Sequence, residues 1–214
     1  MIKVKICGVR TVEDAMKCVA CGADAVGVLL ADSPRRITIL QAADIVKCMP
    51  PFVTPVIVMM PSAAEEAIEA AGVIGPGAIQ LQGDEPPEML LEIKKALPHI
   101  KLIKAVHVGS GGEMDKARSY EGTADAILLD TMSPGRGGSG RTHDWTLSGE
   151  IVADIRSPVV LAGGLSPSNV AEAIKRVRPF AVDVASGVEG NGRVKDIKLI
   201  EQFIGNARGA QNGN

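Results

Sequence analysis

Aromatic residues are scarce in this chain, with one Trp, one Tyr and three Phe among 214 residues. That excludes an immunoglobulin-type sandwich built round a buried Trp, and it leaves too few rings for a base-stacking surface or an aromatic cage. An excess of one charge is also missing. Lys and Arg number 23 against 25 Asp and Glu, so neither a nucleic-acid surface nor an acidic tail is indicated. No apolar run approaches the ~18 residues of a membrane span, and Met1 to Lys5 lack the pattern of a secretory signal. Cysteine is confined to the first quarter, at Cys7, Cys18, Cys21 and Cys48. A cytoplasmic protein with reduced thiols is expected. Cys18 and Cys21 have CxxC spacing, but no second pair completes a zinc site, and they fall in a helical pattern. They read as buried, inert thiols.

What the chain does have is aliphatic residues, in short runs that alternate with amphipathic stretches. Strands are expected at 2–6, 25–30, 53–59, 78–81, 101–106, 124–129, 158–161 and 180–184. Helices are expected at 11–21, 38–49, 62–71, 86–97, 112–120, 146–154, 167–176 and 195–207. Thr11 is the candidate N-cap of the first, and Gly22 the residue just past its end. The strands show little polar alternation, as strands buried on both faces do. Such a pattern selects a parallel α/β architecture, either an open doubly wound sheet or a closed (β/α)8 barrel. Eight repeats favour the TIM barrel, as a single domain over residues 1–208 with 209–214 a frayed tail. The aliphatic bias suggests an interior layered with Val, Ile and Leu.

Barrel chemistry sits at the C-terminal ends of strands. Two signals occur there. Gly163 and Gly164 follow strand 7, and Ser186 and Gly187 follow strand 8. Glycine allows close backbone approach and loop N–H groups attract anions, so these adjacent loops read as a phosphate site. The second signal is Cys7 ending strand 1 and Asp130 ending strand 6. A thiolate is a base near neutral pH, and a desolvated carboxyl is an acid. The competing reading of Cys7 is a structural buried thiol. Residues 135–140 match GxGxxG literally but neither follow a strand directly nor open a helix, so a loop over the mouth is the better reading. His99 falls at the opposite end of the barrel. His107 and His143 can reach the mouth but lack metal-ligand spacing.

Taken in order, the motifs are Lys5-Ile-Cys-Gly8, Ser33-Pro-Arg35, Gln80-Leu-Gln-Gly83, Leu128-Leu-Asp-Thr131, Gly137-Gly-Ser-Gly140 with Asp144-Trp145, Ala162-Gly-Gly-Leu165 and residues 183–189. The set resembles the phosphoribosylanthranilate isomerases of tryptophan biosynthesis over nearly the whole chain. The resemblance implies an Amadori rearrangement of N-(5-phosphoribosyl)anthranilate without metal or cofactor. Cys7 is then the general base, Asp130 the general acid and Arg35 a carboxylate ligand. Asp183 joins the substrate site, and Gly163, Gly164, Ser186 and Gly187 form the phosphate loops. The partner is a small phosphosugar, with no nucleic acid and no membrane, and a monomer and a homodimer read alike. Three departures stand out. Gln82 stands where the family usually has His, His143 where Phe is common before Asp-Trp, and Arg36 where an aromatic often follows Arg35. Two other readings compete. A ribulose-phosphate 3-epimerase-like barrel would want paired carboxylates and metal-binding histidines, and a non-catalytic phosphosugar-binding barrel would not need Cys7 with Asp130.

Overall fold

The computed structural model describes residues 1–109, 111–131 and 143–210. Eight strands pair in parallel and in sequence order: β1 (Lys3–Cys7), β2 (Ala25–Leu29), β3 (Thr54–Met59), β4 (Ala78–Leu81), β5 (Lys101–Val108), β6 (Ala126–Thr131), β7 (Val159–Leu161) and β8 (Ala181–Val184). β8 returns to β1, with Lys5 opposite Asp183, and the sheet closes as a (β/α)8 barrel. The surrounding helices are α1 (Val12–Ala20), α2 (Ile39–Lys47), α3 (Ala64–Ile74), α4 (Pro87–Ala96), α5 (Glu113–Ser119), α6 (Trp145–Asp154), α7 (Val170–Val177) and α8 (Ile197–Gly209). α8 runs one residue into the stretch assigned to the tail, and residues 211–214 lie outside the described part.

Local chemistry sets the helix ends. The Thr11 hydroxyl accepts the Asp14 N–H at 3.1 Å and starts α1. Thr38 and Gln41 form a reciprocal capping box on α2. Gly75, in the left-handed region at φ 67°, ends α3.

Side chains along each strand point alternately to the helices and into the barrel. The outward set, including Val4, Ile6, Val26, Val28, Ile57, Ile79, Leu102, Ile127 and Val182, joins the helices in one large apolar core. Inside, the apolar cluster is small: Ala105, Leu128, Val160, Ala162 and Ala181, flanked by Ile103 and Ala126. This corrects the expectation of bulky aliphatic layers in the interior. The bulk faces the helices. Inside, long polar side chains occupy the volume that Ile or Leu would otherwise fill, among them the buried Lys5, Gln80 and Asp183.

Two strands end two residues later than expected. β5 continues to Val108 and β6 to Thr131, in a register that sets His107 opposite Asp130. The two added residues of β5 carry His107 into the barrel mouth.

Phe203 on α8 is fully buried in the outer core. Phe203→Ala is expected to lower the unfolding free energy by about 3–5 kcal/mol, measured by urea denaturation followed by circular dichroism.

Candidate active site

A cavity opens at the C-terminal end of the barrel. It is lined by Cys7, Arg35, Gln80, Gln82, Asp130, Gly163, Gly164, Asp183 and Ser186. β1 supplies Cys7, β4 Gln80 with Gln82 just past its end, β6 Asp130 and β8 Asp183, and the loops after β2, β7 and β8 converge with them on one volume. Gly187 follows Ser186 in the short turn Ser186–Val188, and any Cβ on it would collide with the Leu165 carbonyl. Gly163 sits at φ 83°, where an L side chain is strained, and a Cβ there would strike the Thr131 hydroxyl. Among the described residues, the hydrogen bonds outside helices and strands do not draw on the N–H groups of Gly163, Gly164, Ser186 or Gly187.

Below the cavity lies a buried ion pair. Lys5 Nζ donates to Asp183 Oδ1 at 2.9 Å. Burial alone would lower the Lys5 pKa, but the Asp183 carboxylate and the Cys7 thiol reverse that and hold the ammonium charged. Burial pushes the Cys7 thiol up, and Lys5 partly offsets the rise. A Cβ on Gly27 of β2 would lie 2.9 Å from Cys7 Sγ and 3.1 Å from Lys5 Cε, so glycine there makes room for both.

Asp130 is also raised. Burial is the main cause, His107 opposes it and Asp183 adds to it, while the Thr131 N–H and the Gln82 amide favour the charged form. Gln82 Nε2 donates to Asp130 Oδ2 at 3.0 Å, and Gln80 Nε2 donates to Gln82 Oε1 at 2.6 Å. His107 Nε2 lies 3.0 Å from the Gln82 carbonyl.

Arg35 is buried at the rim. Its Nε and one Nη donate to the two carboxylate oxygens of Glu189, both at 2.7 Å. Lys195 Nζ reaches the same carboxylate at 3.0 Å and the Ala185 carbonyl at 2.8 Å. Desolvation works against the Glu189 charge, but the two cations hold its pKa below the ordinary value. Arg36 is exposed in a groove beside α2 and α3, so the cavity-lining arginine of the pair is Arg35.

Cys18 is buried and pushed up to about 12 by desolvation. All four thiols are free, with Cys48 exposed. His99 is exposed in the turn before β5. His143 Nδ1 lies 3.0 Å from the Thr131 hydroxyl, and its Nε2 lies 2.6 Å from Ser148 Oγ. Residues 135–140, read as a loop over the mouth, lie outside the described residues. Among the described residues no three His, Cys, Asp or Glu side chains cluster as metal ligands, and no helix is long and apolar enough to cross a membrane. Sequence reading assigned no role to Lys5, Gln80 or Glu189. The signal for Lys5 was present: a charged residue two positions before Cys7 shares its strand face.

Fold and site together define a (β/α)8 barrel whose C-terminal mouth holds a cavity lined by the Cys7 thiol and the Asp130 and Asp183 carboxyl groups. The family model for N-(5′-phosphoribosyl)anthranilate isomerase matches residues 4–206, and the chain belongs to that family. A relative from Methanocella arvoryzae named N-(5′-phosphoribosyl)anthranilate isomerase is 56% identical, with 97% of this chain and 99% of that one covered. The phosphoribosyl anthranilate isomerase structure from Thermotoga maritima superposes with a TM-score of 0.89 at 43% identity, covering 98% of this chain and 100% of that one. A further isomerase structure, in complex with reduced 1-(o-carboxyphenylamino)-1-deoxyribulose 5-phosphate, gives a TM-score of 0.85 at 40% identity over 98% of this chain and 100% of that one.

Glu189→Gln leaves Arg35 and Lys195 without their counter-charge. The variant is expected to lose about 3–5 kcal/mol of stability at neutral pH, read by urea unfolding. Because the folded pKa of Glu189 is depressed, its contribution is present above about pH 4.3, the unfolded value. It is lost as pH falls through the lower folded value, so the gap between variant and wild type closes in acid.

Proposed function

We propose that the chain catalyses the reaction its family is named for, the Amadori rearrangement of N-(5-phosphoribosyl)anthranilate to 1-(2-carboxyphenylamino)-1-deoxyribulose 5-phosphate, in tryptophan biosynthesis. The observation that carries the reading is the convergence of Cys7 and Asp130 on one cavity, both with pKa values raised by burial.

The reaction proceeds as an acid step followed by a base step. Asp130 donates a proton to the furanose ring oxygen, the C1′–O bond breaks and an iminium forms at C1′. The iminium acidifies C2′–H, which the Cys7 thiolate removes to give the enolamine. A proton then adds at C1′ while the C2′ hydroxyl loses its own, which restores both groups and leaves the ketone. The substrate gains two protons and loses two, so the change is an isomerisation. Groups of this kind contribute about 10²–10⁴-fold each.

The working form needs a protonated carboxyl beside a thiolate. A free thiol is a weaker acid than a free carboxyl, and burial moves both upward here; with that order kept, the resting form carries a charged Asp130 and a neutral Cys7. The productive form differs only in where one proton sits. Its fraction is constant between the two pKa values, and it is larger the higher Asp130 is raised. A higher thiol pKa also makes the thiolate a stronger base, which offsets its scarcity.

Binding divides between the two ends of the substrate. The N–H groups of the loops at Gly163, Gly164, Ser186 and Gly187 receive the phosphate, whose binding energy orients the sugar. Arg35 keeps one edge on Glu189, and its other edge offers two N–H donors to the anthranilate carboxylate. Asp183 keeps one oxygen on Lys5 and offers the other to a sugar hydroxyl. The partner is thus a small phosphosugar, and the cytoplasm, where thiols stay reduced, suits it.

Loss of anthranilate-type fluorescence from freshly prepared phosphoribosylanthranilate tests the reading. The wild type is expected to exceed the spontaneous rate, while Cys7→Ser and Asp130→Asn each lose about 10²–10⁴-fold in kcat with folding intact. Near-normal turnover by both variants would contradict it. Arg35→Lys removes the planar fork and is expected to raise KM, whereas Arg36→Lys leaves KM unchanged. Steady-state kinetics of the two variants read the difference.

A further inference from the structure

Gln80 carries a polar group that nothing in the fold accounts for. The residue is 3% exposed and lines the cavity. Its Oε1 is buried and makes no hydrogen bond among the described residues. Buried acceptors are rarely left without a donor. Its amide nitrogen, by contrast, is engaged with Gln82 Oε1, and Gln82 Nε2 in turn donates to Asp130 Oδ2.

These bonds run one way. Because Gln82 Oε1 already accepts from Gln80, the group that Gln82 turns to Asp130 is its NH2. A carboxyl oxygen that receives an N–H is the poorer place for the acid's own proton, so that proton is directed to the other oxygen. We infer that Gln80 contacts the substrate, its carbonyl accepting a sugar hydroxyl, and that Gln82 is a positioning residue that sets the Asp130 proton on the oxygen open to the substrate. The inference rests on the isomerase reading above. A hydroxyl is the fitting donor on such a substrate. Its phosphate and carboxylate are acceptors only, and its aryl N–H is already met by the ortho carboxylate.

With substrate bound, the bonds close a circuit. A sugar hydroxyl donates to Gln80, Gln80 to Gln82, Gln82 to Asp130, and Asp130 to the ring oxygen. The amides carry no charge, so the direction of the chain does not change with pH. A histidine at position 82 would add an ionisable ring close to His107 on β5, Asp183 on β8, Cys7 and Lys5 on β1, and Arg35 after β2.

The test is the pH dependence of kcat and kcat/KM for wild type, Gln82→Met, Gln82→His, Gln80→Met and the double Met variant. It is run with the affinity of each for the reduced product analogue 1-(o-carboxyphenylamino)-1-deoxyribulose 5-phosphate. Methionine keeps the volume and removes the amide, and analogue binding by Gln82→Met reports that the site is folded. Gln82→Met is expected to lose about ten- to a hundredfold in kcat, the worth of one hydrogen bond to a charged group. Its KM and analogue affinity stay near wild type. The limb belonging to Asp130 moves to higher pH, because a bond favouring the charged form is gone. Gln82→His recovers part of kcat and adds an ionisation near about pH 6.5. Gln80→Met raises KM and weakens the analogue as well as lowering kcat, and the double variant loses less than the product of the singles. A Gln82→Met enzyme with wild-type kcat and profile, or a Gln80→Met enzyme with unchanged KM and analogue affinity, overturns this inference alone. A wild type that does not turn over the substrate overturns the isomerase reading itself.

Discussion

A lysine and an aspartate held 2.9 Å apart inside the barrel set the conditions for everything above them. Two charges taken out of water are tolerated only when closely paired. Lys5 and Asp183 meet because β1 and β8 are neighbours in register, which the closure of the barrel guarantees. The pair fills interior space that aliphatic side chains would otherwise occupy, and it demands glycine at position 27 on the adjoining strand. It also places a cation beside Cys7, so a thiol that burial alone would silence retains a counter-charge for its thiolate. The same low-dielectric setting raises Asp130. Burial therefore acts on both the Cys7 thiol and the Asp130 carboxyl, and the fold supplies it by ringing them with strands.

Further ion pairs hold the loops. Glu189 draws Arg35 from the loop after β2 and Lys195 from the segment before α8, which ties two sides of the mouth together. Lys104, fully buried on β5, pairs with Glu85 at 3.0 Å and donates to the Leu81, Gly83 and Ala105 carbonyls. It anchors the turn that follows Gln82. Buried pairs of this kind add little net stability, but their geometry is specific, and breaking one leaves an uncompensated charge. They hold the loops at the mouth in place against the strand ends that carry Cys7 and Asp130.

Much of this was legible in the sequence, and the reason is the architecture. A barrel puts chemistry at strand ends, so finding the eight apolar runs located Cys7, Asp130, Asp183, Gly163, Gly164, Ser186 and Gly187 at one cavity or its rim. What escaped was everything that depends on side-chain direction inside a strand. With both strand faces buried, apolar alternation does not separate inside from outside. Gln80 and Gln82 were noticed as a motif, but their sharing of an inward face with Asp130 was not. The end of β5 was placed two residues early, because His107 breaks the apolar run, and that hid its position opposite Asp130. Arg35 was expected to wait for a ligand. Its bond to Glu189, 154 residues away, is a long-range contact that no local pattern encodes. His143, an unexplained departure in the sequence, bridges Thr131 and Ser148 across residues 132–142.

One proton shared between a buried carboxyl and a buried thiol, both pushed upward by burial, is what the proposed chemistry turns on. The most direct test follows the rate of Cys7 alkylation by iodoacetamide against pH, in a protein whose other three cysteines are serine, beside kcat/KM of the same protein. The account predicts that kcat/KM falls across the same pH range in which alkylation rises, above the ordinary thiol value of about 8.5, because ionising Cys7 in bulk leaves Asp130 without its proton. Activity that rises in step with alkylation, or that shows no limb where Cys7 titrates, would contradict it.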